Sequence, residues 1–142
     1  MRYLGLDLGS KTLGVATSDA TNTIASSFKT IFFNENNYQE LIEPLKEIIN
    51  EYNINKIVLG LPKNMNNTLG VRAEISLEFK KMLEDNFNIE VILEDERLTT
   101  VISNNIMIKA DVSRKKRKKK VDSIAAQLIL QSYLDRKGER YE

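Results

Sequence analysis

The sequence predicts an α/β fold built on a mixed five-stranded sheet with helices on both faces. Three short apolar segments joined by brief polar turns open the chain, and two further strand-like segments follow. Segments with helical periodicity separate these later strands. Connections as short as the first two require antiparallel pairing, whereas helical connections suit parallel strands. The expected order is therefore βββαβαβαα.

The first three strands form an antiparallel meander in this prediction. Gly9-Ser10 interrupts the first apolar run, and the polar stretch 19–23 separates the second from the third. Asp19 begins that stretch and is interpreted as a turn residue. The predicted strands are residues 2–8, 13–18 and 24–33.

Helices and strands alternate in the remainder of the chain. Residues 38–52 have leucine and isoleucine at helical spacing, and Pro44 predicts an irregular start to that helix. No repeat, low-complexity tract or linker interrupts the chain, so we expect a single domain over residues 1–142. The further predicted elements are strands 56–61 and 89–94 and helices 70–85, 99–109 and 122–136.

The composition narrows the class of protein. Hydrophobic residues make up 42% of the 142 residues, which is enough for a buried core. No apolar stretch approaches the roughly 20 residues of a membrane span, and no signal peptide precedes the first strand. The absence of cysteine excludes a disulfide framework and a thiolate zinc site, which favours a cytoplasmic location.

The chain contains no histidine, which excludes Ser-His-Asp and Cys-His catalysis. It also removes the commonest ligand of transition metals and leaves carboxylates and other oxygens, which favour Mg²⁺ or Mn²⁺. Hydrolysis by this protein would therefore require water activated by a metal ion that Asp and Glu hold.

The net charge of +1 conceals a strong asymmetry along the chain. Arg114 to Lys120 is a run of seven basic residues, and its removal leaves 14 basic against 20 acidic residues, a net charge of −6. An acidic body with one basic strip indicates a carboxylate site beside a phosphate-binding segment. We expect the run to be a mobile loop because of its charge density; the alternative is a segment that only improves solubility.

Three carboxylate positions are candidates for a metal site. Asp7 ends the first strand, where a carboxylate is costly to bury unless it binds a metal or a partner; hydrogen bonding to the hairpin turn is the alternative. The acidic residues 94–96 end the fifth strand, and an isolated triplet of this kind is also typical of a solvated turn. Asp122 begins the last predicted helix and could instead be its N-cap. Together these positions could hold one or two divalent ions.

Four blocks of the sequence resemble the YqgF family, whose members are also described as Holliday junction resolvases or pre-16S rRNA nucleases. The resemblance implies an RNase H-like fold, a bacterial cytoplasmic setting and metal-dependent hydrolysis at the 5′ end of pre-16S rRNA. The blocks are LGLDLGSKTLGVATSD at 4–19, VLGLPKNMNNTLGVRAE at 58–74, LEDERLTT at 93–100 and KKVDSIAAQLIL at 119–130.

The resemblance also implies the site residues. It places the acidic metal site at Asp7, Glu96 and Asp122, whereas Thr12 stands where many relatives carry arginine. The strand beside the first ends without an acid, so the middle carboxylate must come from the next strand, about 9–10 Å from the first. Glu94 and Asp95 are therefore alternatives to Glu96. The expected contacts to nucleic acid are Lys11, Arg72, Arg97, Arg114, Lys115, Lys116, Arg117 and Lys118.

Three other functions compete with an rRNA nuclease. A resolvase of four-way DNA would use the same chemistry and is expected to be a dimer, and the sequence allows a monomer or a homodimer. The segment from Asp7 to Lys11 resembles the phosphate turn of actin-like kinases, but such kinases need a second lobe. A non-catalytic RNA-binding factor in ribosome assembly is the third alternative.

Overall fold

The computed structural model describes residues 2–61, 70–95 and 114–139, apart from the side chains of residues 114–122 and 137–139. Its five strands form one sheet in the order β3-β2-β1-β4-β5. β1 pairs antiparallel with β2 and parallel with β4, and β4 pairs parallel with β5. The predicted meander and mixed sheet are therefore confirmed. The strands are β1 (Arg2–Leu8), β2 (Thr12–Ser18), β3 (Ala25–Phe32), β4 (Ile54–Leu61) and β5 (Glu90–Asp95).

Short hydrogen-bonded turns connect the strands of the meander. The Gly9 N–H donates to the Thr12 carbonyl at 2.7 Å and closes the first turn. In the second turn, Asp19 Oδ1 accepts hydrogen bonds from the backbone N–H groups of Thr23 at 2.8 Å and Ile24 at 3.2 Å. These bonds hold the pKa of Asp19 below its usual value, since they favour the ionised carboxylate. Asp19 is a turn residue, as predicted.

The first helical segment has the irregular start that Pro44 predicted. A 3₁₀ turn covers Tyr38–Leu41, and helix α1 covers Ile42–Tyr52. Pro44 lies in the first turn of α1, where backbone N–H groups have no acceptor within the helix, so its missing N–H is tolerated. Helix α2 covers Val71–Phe87. Both helices end at an asparagine with left-handed backbone, which is a common way to terminate a helix.

The sheet is covered on both faces, and the last helix covers the face opposite α1 and α2. Helix α3 covers Arg114–Glu139 and buries Ala126, Ile129 and Leu130 completely against Tyr3, Ala16 and Val58. Alternate residues of β1 point to the other face, where they pack beneath α1 and α2. None of the helices in the described part of the chain is both long and apolar enough to cross a membrane.

The basic run is helical, so the prediction of a loop was wrong. Residues 114–120 form the first two turns of α3. Arginine and lysine favour helices, and their mutual repulsion is weak in water, so the run extends the helix that packing anchors further on. Asp122 consequently lies inside α3 and is not its N-cap. The predicted helix 99–109 lies outside the described residues.

Candidate active site

Asp7 lies in a row of five residues that crosses the whole sheet at one level. The strand registers pair Asp7 with Gly14 and Gly14 with Thr30. On the other side, Leu6 pairs with Leu59, which puts Gly60 level with Asp7, and Gly60 pairs with Glu94. The row therefore runs Thr30, Gly14, Asp7, Gly60, Glu94 on the sheet face that α3 covers.

The half-buried carboxylate of Asp7 has a glycine on each side of it in the sheet. Gly14 and Gly60 have no side chains, so neither neighbouring strand projects one beside Asp7 in this row. The two glycines are a sequence signal for this arrangement that the predictions from sequence missed. A glycine inside a strand weakens it and often marks a position that another group approaches closely.

Helix α3 crosses the sheet so that position 122 lies beside Asp7. The rings of Tyr133 and Tyr3 are 6.1 Å apart between centroids. Further back along α3, the Ala126 carbonyl lies 2.9 Å from where a Cβ on Gly5 would be. The helix thus runs antiparallel to β1. Position 122 lies one helical turn before Ala126, and Asp7 lies two residues beyond Gly5 along β1. Position 122 and Asp7 are therefore neighbours. The side chain of Asp122 itself is outside the described part of α3.

Glu94 is a buried carboxylate that α3 holds with two contacts. The Ser132 hydroxyl donates to Glu94 Oε1 at 3.4 Å, and the Arg136 guanidinium forms an ion pair with Oε2. Burial raises the pKa of Glu94, and the positive charge of Arg136 opposes that rise. Since both carboxylate oxygens bond to α3, Glu94 serves as a link between β5 and α3 and is poorly suited to bind a metal.

Asp95 and Glu96 are the other candidates at the end of β5, and side chains alternate between the two sheet faces along a strand. Val91 and Leu93 pack beneath α1 and α2, so Asp95 points to the face opposite Asp7. Among the three alternatives for the middle carboxylate, the structure thus disfavours Glu94 and Asp95. Glu96 and Arg97 lie beyond the described residues of β5, and their roles stay predictions.

Two of the predicted basic contacts lie near the end of β1. Lys11 is exposed in the turn between β1 and β2. Arg72, in the first turn of α2, donates from Nη2 to the Leu8 carbonyl at 3.1 Å. That bond uses one of five guanidinium donors and holds Arg72 beside the strand end that carries Asp7. The side chains of Arg114, Lys115, Lys116, Arg117 and Lys118 fall outside the described set.

The candidate donors fit a hard divalent cation. Glycines flank Asp7, position 122 lies across from it, and the chain has no histidine or cysteine, so the available donors are oxygens, which suit Mg²⁺ or Mn²⁺. Among the described residues, no three acidic side chains converge on one point. This is the expected result, since two of the three predicted ligands lie outside that set.

The mixed five-stranded sheet with helices on both faces is an RNase H-like fold, and Asp7 at the end of its central strand is a candidate residue for the hydrolysis of phosphodiester bonds. The chain belongs to the family described as RuvX, Holliday junction resolvase, which matches residues 1–136. This confirms the resemblance seen in the four sequence blocks.

Relatives match this chain over nearly their full length. One from Geobacillus sp. is 54% identical over 137 residues, covering 96% of this chain and 99% of the relative. One from Bacillus subtilis is 54% identical over 135 residues, covering 95% and 98%. Both carry the name "Putative pre-16S rRNA nuclease".

Solved structures confirm the fold. Thermus thermophilus RuvC, in complex with a Holliday junction substrate, superimposes with a TM-score of 0.58 at 12% identity, covering 97% of this chain and 96% of RuvC. The fowlpox virus resolvase, also in complex with Holliday junction DNA, gives a TM-score of 0.58 at 16% identity, covering 95% and 97%.

Proposed function

We propose that this protein is a cytoplasmic, metal-dependent endonuclease that processes the 5′ end of pre-16S rRNA. The observation that carries the proposal is the placement of Asp7. It lies at the end of the central strand, between two glycines and across from position 122 of α3. The names of the Geobacillus and Bacillus relatives supply the substrate.

The metal site in this proposal consists of Asp7, Glu96 and Asp122, which would hold one or two Mg²⁺ or Mn²⁺ ions. Such an ion, when bound, lowers the pKa of water and stabilises the charge on the leaving oxygen. The chain itself provides rigid placement of the ligands. Asp7 projects from the middle strand of the sheet, and the close contact of α3 with Gly5 fixes the distance between that strand and the helix carrying Asp122.

The basic residues of α3 supply the contacts to the phosphate backbone. A helix rises 1.5 Å per residue, so the segment 114–118 lies roughly 6–12 Å along the axis from position 122. Arg72 would approach the nucleic acid from α2, and its hydrogen bond to the Leu8 carbonyl holds it beside the end of β1. A nucleic-acid strand bound by these basic residues and by Lys11 would pass over Asp7. Gly14 and Gly60, which flank Asp7, would leave space for that nucleic acid. Arg97 is proposed as a further phosphate contact.

Cleavage of labelled pre-16S rRNA and of a four-way DNA junction, with Mg²⁺ or Mn²⁺, tests this function. We expect Asp7→Asn to abolish cleavage and to keep or improve RNA binding, because it removes a negative charge near the phosphates. The matched control is Asp85→Asn, an exposed aspartate on α2 behind the sheet. Undiminished cleavage by Asp7→Asn would refute the assignment, and RNA binding without any metal-dependent cutting would favour the assembly-factor function.

A Holliday junction resolvase is the second candidate, since the family description and the RuvC complex both concern that substrate. Cutting two strands of a junction requires two sites, so a resolvase should be a dimer. Sedimentation of the protein alone and with a junction separates the candidates. A dimer that cuts the junction and leaves the pre-16S rRNA intact would replace the rRNA function by this one.

A further inference from the structure

Phe32 is an aromatic side chain that the fold leaves in water. It ends the edge strand β3, and 64% of its surface is exposed. Its neighbours Ile31 and Phe33 both pack into the core beneath α1 and α2. Because side chains alternate along a strand, Phe32 points to the other face, which is the face of Asp7.

The strand registers place Phe32 one step beyond the row of Asp7. Thr30 lies in that row, and Phe32, two residues further on, pairs with Thr12 at the start of β2. β3 is the second strand from β1. Strand spacing and rise then give a separation of about 12 Å between the Cα atoms of Phe32 and Asp7. At the 3.4 Å rise of a stacked strand, this is roughly three or four nucleotides from the reacting phosphate.

Polar residues and the turn that carries Lys11 lie next to Phe32 in the sheet. The Phe33 N–H donates to the Lys11 carbonyl at 2.9 Å, which brings the end of β3 to the turn with the exposed Lys11. Thr12 and Thr30 are its neighbours on the same face. Among the described residues, the other exposed large hydrophobic side chains are Ile24, before the opposite end of β3, and Val71 and Leu77, on α2. In that part of the chain Phe32 thus lacks the larger apolar centre that a protein interface needs. Its setting resembles the sites that bind single strands, where an aromatic ring stacks on a base and cations bind the backbone.

We propose that Phe32 is a stacking platform for an unpaired base of the substrate strand, a few nucleotides from the bond that is cut. The proposal rests on the proposed nuclease function and adds a preference: the substrate is single-stranded where it passes β3. Stacking does not read the base identity, so the platform selects unpaired over paired strands without selecting a sequence.

Fluorescence tests the contact directly, since the chain has no tryptophan. In Phe32→Trp, with metal removed by EDTA, we expect a single-stranded RNA 12-mer to quench the emission saturably, and the same RNA in a duplex to quench it much less. The control is Leu77→Trp, an exposed position on α2 behind the sheet, which should show no quenching. Equal quenching in both variants would overturn the proposal.

Binding of the same 12-mer gives the magnitude. Phe32→Ala should raise its Kd about 5- to 150-fold, the equivalent of about 1–3 kcal/mol for one stacked base. Phe32→Tyr should keep the affinity, and duplex binding should change little in either variant. Single-strand binding by Phe32→Ala at wild-type affinity overturns the platform but leaves the nuclease function intact if cleavage persists. An altered sedimentation coefficient with unchanged RNA affinity assigns Phe32 to an interface between copies of the chain and also overturns it. Wild-type protein that neither binds nor cuts RNA overturns both proposals.

Discussion

Gly5→Ala should push α3 outward from the sheet. A Cβ added at Gly5 would lie 2.7 Å from the Leu130 Cβ and 2.9 Å from the Ala126 carbonyl oxygen. Carbon atoms in good contact are about 3.5–4.0 Å apart, so the helix must move out by roughly 1 Å. Neither contact atom is the end of a flexible side chain, so a change of rotamer cannot relieve the overlap. Overpacking of this kind costs about 1–3 kcal/mol of unfolding free energy.

Urea denaturation followed by circular dichroism measures this loss, and we expect a lower midpoint with an unchanged slope. Cleavage, assayed where the variant is fully folded, should fall about 100-fold, because a shift of ~1 Å at a catalytic group has that effect. The control is Gly9→Ala. Its new Cβ would lie 2.9 Å from the Thr12 hydroxyl, which can rotate away, and 3.1 Å from the Thr12 carbonyl oxygen. A smaller loss of unfolding free energy is therefore expected for Gly9→Ala than for Gly5→Ala. An unchanged midpoint and unchanged cleavage in Gly5→Ala would refute the close packing of α3 on β1.

Arg136→Met should cost about 1–3 kcal/mol of unfolding free energy in urea, because it leaves the buried Glu94 carboxylate without its counter-charge. Without Arg136 the raised pKa of Glu94 rises further. The loss of unfolding free energy relative to wild type should therefore be small at pH 4, where Glu94 is protonated, and grow as the pH increases through the wild-type pKa of Glu94. The double variant with Glu94→Gln should recover most of it; equal losses at all pH values would contradict this reasoning. Neutralising residues 115–118 to glutamine should weaken RNA binding and reduce its salt slope by about one per lost phosphate contact, whereas neutralising the exposed Lys46 and Lys81 behind the sheet should change neither.

The strand pairing could be predicted from the sequence because it depends on the lengths of the connections. The three-residue turn between Leu8 and Thr12 leaves only an antiparallel partner, and a helix between β4 and β5 favours a parallel one. The position of Pro44 likewise predicted an irregular start of the first helix, and the structure has a 3₁₀ turn there. These are local properties, since the residues that decide them are close together in the chain.

The sequence could not predict what depends on distant partners. The link between Glu94 and Arg136 joins residues 42 positions apart, and neither residue type indicates the other. The glycines beside Asp7 acquire meaning only once the register of three strands is known. The prediction of a loop at residues 114–120 rested on their charge alone. The helix that follows packs its buried face on the sheet, and the basic run continues that helix.

The two aspartates proposed for the site are 115 positions apart in the chain, yet α3 brings them together. The first strand leaves the ribosome early in synthesis, whereas the helix that covers it follows only after the other strands. Long-range contacts of this kind form late in folding. A nascent chain therefore carries Asp7 without position 122 until the last helix of the sheet's second face has been made. If Asp7 and Asp122 both hold the proposed metal ion, that site cannot assemble before α3 has been made and has packed on β1.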